Sequence, residues 1–266
     1  MLLAAGLGLT VGIILALTGA GGGILAVPLL MFGLDWNITQ AAPVALLAVG
    51  ASAALGALIG LKQGAVRYRA AALIAVTGGL ITPLGVQLAH AVPARPLTVA
   101  FAAVLLYVAI RTFRQATPQS TAAGVAEAPQ VSAPCSISPQ SGRFAWNPAC
   151  ARWLVGTGTL VGFLTGLLGV GGGFVLIPAL KRATDLPMQS IIATSLAVIA
   201  LVSAAAVAST WFAGKLDFSV GLPFVAGALA GMLAGRLIAG LLSGPRMQQG
   251  FALVAGGVAL GLIVKS

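Results

Sequence analysis

Leu17-Thr-Gly-Ala-Gly-Gly-Gly-Ile-Leu-Ala-Val-Pro-Leu-Leu30 returns 150 residues later as Leu167-Leu-Gly-Val-Gly-Gly-Gly-Phe-Val-Leu-Ile-Pro-Ala-Leu180. Each copy places three consecutive glycines inside an apolar run that would otherwise read as one membrane helix. Glycine costs about 1 kcal/mol in a helix interior and proline about 3. Gly21, Gly22 and Gly23 followed by Pro28, and Gly171, Gly172 and Gly173 followed by Pro178, therefore predict two helix breaks. In a bilayer, irregular backbone is tolerated only where protein buries it or where it lines a watery cavity.

The chain around these breaks is 59% hydrophobic and 7% charged over 266 residues, with a mean hydropathy of +1.07. A soluble domain carries about a quarter charged residues, so the composition describes a multi-pass membrane protein whose first partner is the lipid bilayer. The net charge of +10 does not form a nucleic-acid stripe, because the basic residues stand singly or in pairs at the ends of apolar segments. That is the pattern of topology anchors, and no nucleic-acid partner is expected. No basic region precedes the first segment and apolar sequence continues past Pro28, so a cleaved signal peptide is not expected either.

Hydropathy divides the chain into two similar sets of about four segments. Residues 2–33 form the first broken segment, Asp35, Trp36 and Asn37 a polar turn, and Thr39 to Leu61 the next helix. Tyr68 to Ala91 and a segment from Pro96 to Arg111 and Arg114 complete the set. Residues 115–150 are rich in Ala, Pro, Ser, Gln and Thr without apolar periodicity and read as a flexible cytoplasmic linker. Segments at about 153–180, 187–213, 218–242 and 246–264 follow. At the same spacing Gly12 matches Gly162, Asp35 Asp185, Gly64 Gly214, Gly85 Gly235 and Phe101 Phe251. A constant offset over this length predicts an internal duplication, with domains at 1–114 and 151–266. Duplication of this kind is typical of secondary transporters, whose sites lie at the repeat interface.

If every segment crosses, the repeats are parallel. If the glycine-broken segments re-enter, each repeat has three crossings and the two are inverted. With the linker inside, the inverted arrangement leaves only Arg95, Lys215 and Lys265 outside among 14 basic residues. Residues 24–33 make about 15 Å of helix, roughly half a hydrocarbon core. The expected fold is thus an all-α membrane protein of two inverted repeats, each with a re-entrant first segment.

The glycine triplets admit a bland reading as close helix packing, but packing glycines recur every fourth residue rather than in a row. The functional reading is that their backbone N–H groups, at the start of a half-helix, face an anion, since a helix N-terminus carries about half a positive charge. A nucleotide-type phosphate loop is rejected, because no Lys-Ser/Thr follows the glycines. Thr194 and Ser195 lie one segment later and either bond back to their own helix or donate to an oxyanion. Arg236, inside the seventh segment, and Gln87, beside its counterpart Val86, are pathway candidates. Asp35, Glu127, Asp185 and Asp217 all fall in loops or the linker, so no buried carboxylate relay is predicted.

Two cysteines, Cys135 and Cys150, and one histidine, His90, supply no metal-ligand cluster, so neither metal nor cofactor is expected. A Cys135–Cys150 disulfide is disfavoured if the linker is cytoplasmic. An intramembrane enzyme using Ser52 and His90 is the alternative of another class; the two lie in no recognisable motif, and the chain is read as a non-enzyme.

Gly19-Ala-Gly-Gly-Gly-Ile-Leu-Ala-Val-Pro28, Gly169-Val-Gly-Gly-Gly-Phe-Val-Leu-Ile-Pro178 and Ala193-Thr-Ser-Leu196 together resemble the TauE/SafE family of sulfite exporters and related organosulfur anion permeases. The resemblance spans nearly all of the chain outside the linker. It implies a multi-pass carrier that moves small sulfur oxyanions such as sulfite or sulfonates. The chain is read as an exporter in the cell (inner) membrane, because an interior at −100 mV favours efflux of each negative charge by about 2.3 kcal/mol, with homo-oligomer formation open. The first half carries Pro43-Val-Ala-Leu46 where the second carries the Thr-Ser pair, so hydroxyls from both halves are not implied.

Overall fold

The computed structural model describes residues 2–19, 22–116, 135, 147–212, 218–242 and 245–265, and Gly21 and most of the 115–150 stretch lie outside it. The described residues form ten α-helices: α1 Leu2–Thr18, α2 Ala26–Gly33, α3 Ile38–Lys62, α4 Tyr68–Ala91, α5 Ala94–Ala116, α6 Pro148–Leu168, α7 Gly173–Ala183, α8 Met188–Phe212, α9 Phe218–Leu242 and α10 Pro245–Lys265. One 3₁₀ turn, Gly22–Leu25, precedes α2. Long helices are the physical consequence of apolar sequence without charge, because each backbone N–H then finds its acceptor inside the same segment. Six of them are long and apolar enough to cross a membrane: α3, α4, α5, α6, α8 and α9. Their outward surface is apolar as well, with Leu80 on α4 73% exposed and Phe212 at the end of α8 89% exposed. The protein is thus a multi-pass membrane protein.

The helices pair in a pattern that exchanges the two halves. α1 lies along α9 and α6 along α4; α3 crosses α8, α5 pairs with α10, and α4–α8 contacts mirror α3–α9 contacts. Both ends of α3 and α8 are 150 residues apart, as Ile38 to Met188 and Lys62 to Phe212.

Small residues let these helices touch backbone to backbone. Gly8 and Gly12 on α1 face Phe224, Ala228 and Met232, while Gly227, Gly231 and Gly235 on α9 face Ala5 through Ala16. Gly158, Gly162 and Gly166 on α6 meet α4 in the same way at Ile74, Gly78 and Thr82. The order of contacts makes both pairs parallel. The Thr82 hydroxyl donates to Gly78 O at 2.8 Å and reaches Gly162 O at 3.2 Å, tying α4 to α6.

After each break the chain runs back along the helix it has left. Gly22 faces Ile14 and Leu15, and Gly33, eleven residues on, faces Leu7. Gly172 faces Val161 and Thr165, and at the far end of α7 Cys135 N–H donates to Ala183 O at 3.0 Å. Cys135 is disulfide-bonded to Cys150, in the first turn of α6.

That disulfide differs from the expectation. The backbone pairing of Cys135 with Ala183 and Thr184 brings the two Cα atoms to 4.9 Å, within disulfide reach. The boundary also differs, because Asn147 and Pro148 start α6 inside the stretch read as linker.

Candidate functional site

The two glycine stretches meet at the centre of the molecule. Gly169, Gly171 and Gly172 have φ of +72°, +73° and +66°, a left-handed conformation that costs a residue with a Cβ about 1–2 kcal/mol. These three turns reverse the chain between Leu168 and Gly173 without any proline. Pro28 is the third residue of α2 and Pro178 the sixth of α7, so both prolines lie inside the returning helices and the glycines alone make the breaks. At position 28 the missing N–H is one that a first helical turn leaves unbonded in any case.

A Cβ on Gly23 would lie 3.0 Å from Val170 O and 3.1 Å from Val49 Cγ1. A Cβ on Gly171 would lie 3.2 Å from the same Val49 atom and 3.1 Å from Ile199 Cγ2. Val49 of α3 therefore touches both breaks, and Ile199, its counterpart 150 residues on, completes the contact from α8.

The donors at this meeting point belong to the backbone. Gly172 caps α7 with no side-chain hydrogen bond, and its carbonyl accepts from Val175 and Leu176 N–H at 3.1 and 3.2 Å. The N–H groups of Gly173 and Phe174 come before the first intrahelical acceptor and form the positive end of the helix. Gly22, Gly23, Ile24 and Leu25 are all buried. No formal charge touches either tip among the described contacts.

The other candidates are distributed around this centre. Thr194 is fully buried, and its hydroxyl oxygen accepts from Arg67 N–H at 3.0 Å, at the start of α4. Ser195 donates back to Ile191 O at 2.7 Å. Arg236 is half-buried on α9 and donates from Nη1 to Gly56 O at 3.4 Å. Its neighbour Gly235 lies against Ile13 and Ala16 in the last turns of α1. Gln87 is exposed on α4. The structure thus brings together Gly22, Gly23, Gly171, Gly172 and Gly173, sets Arg236 against α3 at Gly56, and ties Thr194 and Ser195 to helix backbone. Gly21 falls outside the described residues.

Ser52 and His90 do not form a nucleophile–base pair. His90 Nδ1 is 2.7 Å from Val86 O and the ring borders a cavity of about 20 Å³ lined also by Leu46, Leu167 and Thr210. The Ser52 hydroxyl is buried without a hydrogen-bond partner, as is that of Ser203. Ser203 carries no sequence signal of its own, since a lone serine in an apolar helix usually bonds to its own backbone.

The TauE/SafE sulfite exporter family model matches residues 4–262, which include both glycine breaks. The chain belongs to the TauE/SafE family. A "Probable membrane transporter protein" of Xylella fastidiosa (strain 9a5c) is 26% identical over 264 residues, covering 98% of this chain and 94% of its own. The "Probable membrane transporter protein YunE" of Bacillus subtilis (strain 168) is 27% identical over 243 residues, covering 87% of this chain and 86% of its own. No solved structure matches the chain at a significant level. This TauE/SafE protein is a membrane transporter, and the glycine stretches are where its first and sixth helices are interrupted.

Proposed function

We propose that the protein exports small sulfur oxyanions, such as sulfite or sulfonates, across the cell (inner) membrane by alternating access at the two glycine breaks. The observation that carries this reading is the meeting of Gly23 with Val170 and of Gly171 with Val49, beside the free N-terminal donors of α7. An anion at that point gains hydrogen bonds and a helix dipole without a fixed charge. In the proposed topology each broken segment is re-entrant and the two halves are inverted repeats. The tips are in contact, so an anion enters or leaves only when one half rocks against the other.

Charge supports the direction. The inverted topology puts every basic residue except Arg95, Lys215 and Lys265 on the side of the linker, which is then cytoplasmic. Arg236 stands nearer that side, where it would gather anions from the cytosol. An interior at −100 mV drives efflux of each negative charge by about 2.3 kcal/mol, so export needs no coupled ion. Arg236→Gln is expected to lower anion flux at subsaturating substrate about threefold to tenfold at low ionic strength, and less at high salt. Equal flux for both proteins in dilute buffer would remove Arg236 from the pathway.

The disulfide bears on the same assignment. Disulfides are rare in the cytosol, so with a cytoplasmic linker Cys135 and Cys150 are expected as free thiols in the cell, the oxidised pair tying Cys135 to the first turn of α6. Rapid alkylation of acid-quenched cells with a PEG-maleimide is expected to add two labels without reductant. Labelling only after reduction would place the linker outside and reverse the topology.

A carrier of a different small solute is the nearest alternative. A cation carrier would want carboxylates or thiolates grouped in the spans; among the described residues no three His, Cys, Asp or Glu stand together, and Asp35 and Asp185 lie outside the spans.

A further inference from the structure

We infer that Ser203, assisted by Ser52, is a hydroxyl ligand of the transported ion, and that the site takes monoanions in preference to dianions. The inference rests on the anion-site reading above and adds to it the side chains and the charge state of the ligand.

The first observation is a contrast between hydroxyls in one environment. Thr82, Thr165, Ser195 and Thr210 are buried in apolar helices, and each donates to the carbonyl four residues earlier at 2.7–3.2 Å. Ser203 is 0% exposed and Ser52 1%, yet neither hydroxyl has a hydrogen-bond partner. Ser203 shares α8 with Ser195 and Thr210, so the same backbone bond is open to it. Buried polar groups almost always find a partner, and Ser52 and Ser203 are the two hydroxyls among the described residues whose buried oxygens have none, which leaves both available to a ligand.

The second observation is where they lie. The Ser203 hydroxyl is 3.6 Å from the position a Cβ would take on Gly171, directly against the second break. On its other side, a Cβ on Gly50 would come 2.9 Å from Ser203 Cβ. Glycine at both positions leaves room around this hydroxyl that alanine would take. Ser52 lies one turn beyond Val49, the residue that touches both breaks. Ser203 of α8 thus lies against the second break, and Ser52 of α3 lies one turn from the residue that touches both breaks.

The chemistry of that donor set selects the ligand. A hydroxyl donates to an oxyanion and can also accept from a protonated oxygen, so a hydrogen-oxyanion is served as well as a sulfonate. Among the described residues no cation touches the set, and two negative charges in a low-dielectric site without a counter-ion carry a severe desolvation cost. Methanesulfonate and hydrogen sulfite fit; sulfate does not.

The test uses full-length protein, purified and reconstituted, as wild type, Ser203→Ala, Ser203→Thr and, as a control, Ser209→Ala. The probes are sulfite, methanesulfonate, sulfate, chloride and acetate, read by flux and by protection against thermal unfolding. Ser203→Ala is expected to raise the half-saturating concentration of sulfite and methanesulfonate about tenfold, the loss of one hydrogen bond to a charged group. Ser203→Thr retains the hydroxyl and stays within about threefold of wild type. Without anion, Ser203→Ala melts at or above the wild-type temperature, because it removes an unsatisfied group; a purely structural serine would lower it. Sulfite flux that Ser203→Ala leaves unchanged overturns the ligand assignment while the sulfur-oxyanion reading stands. Ser203-dependent protection by chloride or acetate but by no sulfur oxyanion keeps the ligand assignment and overturns that reading. Sulfate competing as well as methanesulfonate overturns the monoanion preference, and no protection or flux with any anion overturns both.

Discussion

Gly172→Leu is expected to reduce anion flux about a hundredfold, the scale of loss when a binding group is misplaced by an ångström. Two effects combine. The φ of +66° costs any L-residue with a Cβ about 1–2 kcal/mol. A Cβ there would also lie 2.8 Å from Thr165 Oγ1 and 3.1 Å from Val161 O, so the tip must move away from α6. Moving it displaces the donors of Gly173 and Phe174 from the centre. Gly156→Leu, on α6 with nothing within 4 Å of its Cβ position, is expected to transport as wild type does. Protein inserted per vesicle, measured for both, separates lost transport from lost protein. Near-normal flux through Gly172→Leu would mean that the anion does not use the second break.

Gly162→Leu is expected to remove the fold itself. Its Cβ would lie 2.5 Å from Gly78 Cα, so α6 and α4 must separate by most of a side-chain diameter. The Thr82 bond to Gly162 O and the close packing of Gly158, Gly162 and Gly166 would go with it. Overpacking on this scale costs about 1–3 kcal/mol even where side chains can yield, and here the obstacle is backbone. The readout is the monodisperse fraction in detergent, which is expected to collapse for Gly162→Leu and to persist for Gly6→Leu. Gly6 is exposed on α1 with nothing within 4 Å, so it controls for the loss of helical glycine alone.

These glycines also mark what sequence could and could not reveal. The apolar segments Thr39–Leu61, Tyr68–Ala91 and 218–242 coincide with α3, α4 and α9 to within a few residues, because hydropathy and charged ends act locally. The triplets stood out because consecutive glycines have no local use in a helix. Gly158 and Gly166 on α6, and Gly227 and Gly231 on α9, carry no such signal, and Gly162 and Gly235 enter only as repeat matches. Among 36 glycines, a four-residue spacing gains meaning only once the facing helix is known.

The site residues divide along the same line. The turn at Gly172 and the helix start at Gly173 are readable from backbone chemistry. Ser195 was readable only as an alternative between ligand and back-bond, and its bond to Ile191 O is a property of one rotamer. Thr194 meets Arg67 across 127 residues, and Ser203 meets Gly171 from another helix. Neither contact has a sequence signature, since both depend on how α8 crosses its neighbours. The Cys135–Cys150 bond was disfavoured on compartment alone, whereas the pairing with Ala183 that brings the two together is tertiary.

The most direct test of the account is sulfite flux into and out of proteoliposomes of purified protein, at zero potential and at an imposed potential, with sulfate alongside. The account predicts saturable sulfite flux that rises when the potential drives negative charge across, and little flux of sulfate. No saturable flux of sulfite or of any sulfonate, from protein that is folded and inserted, would contradict it.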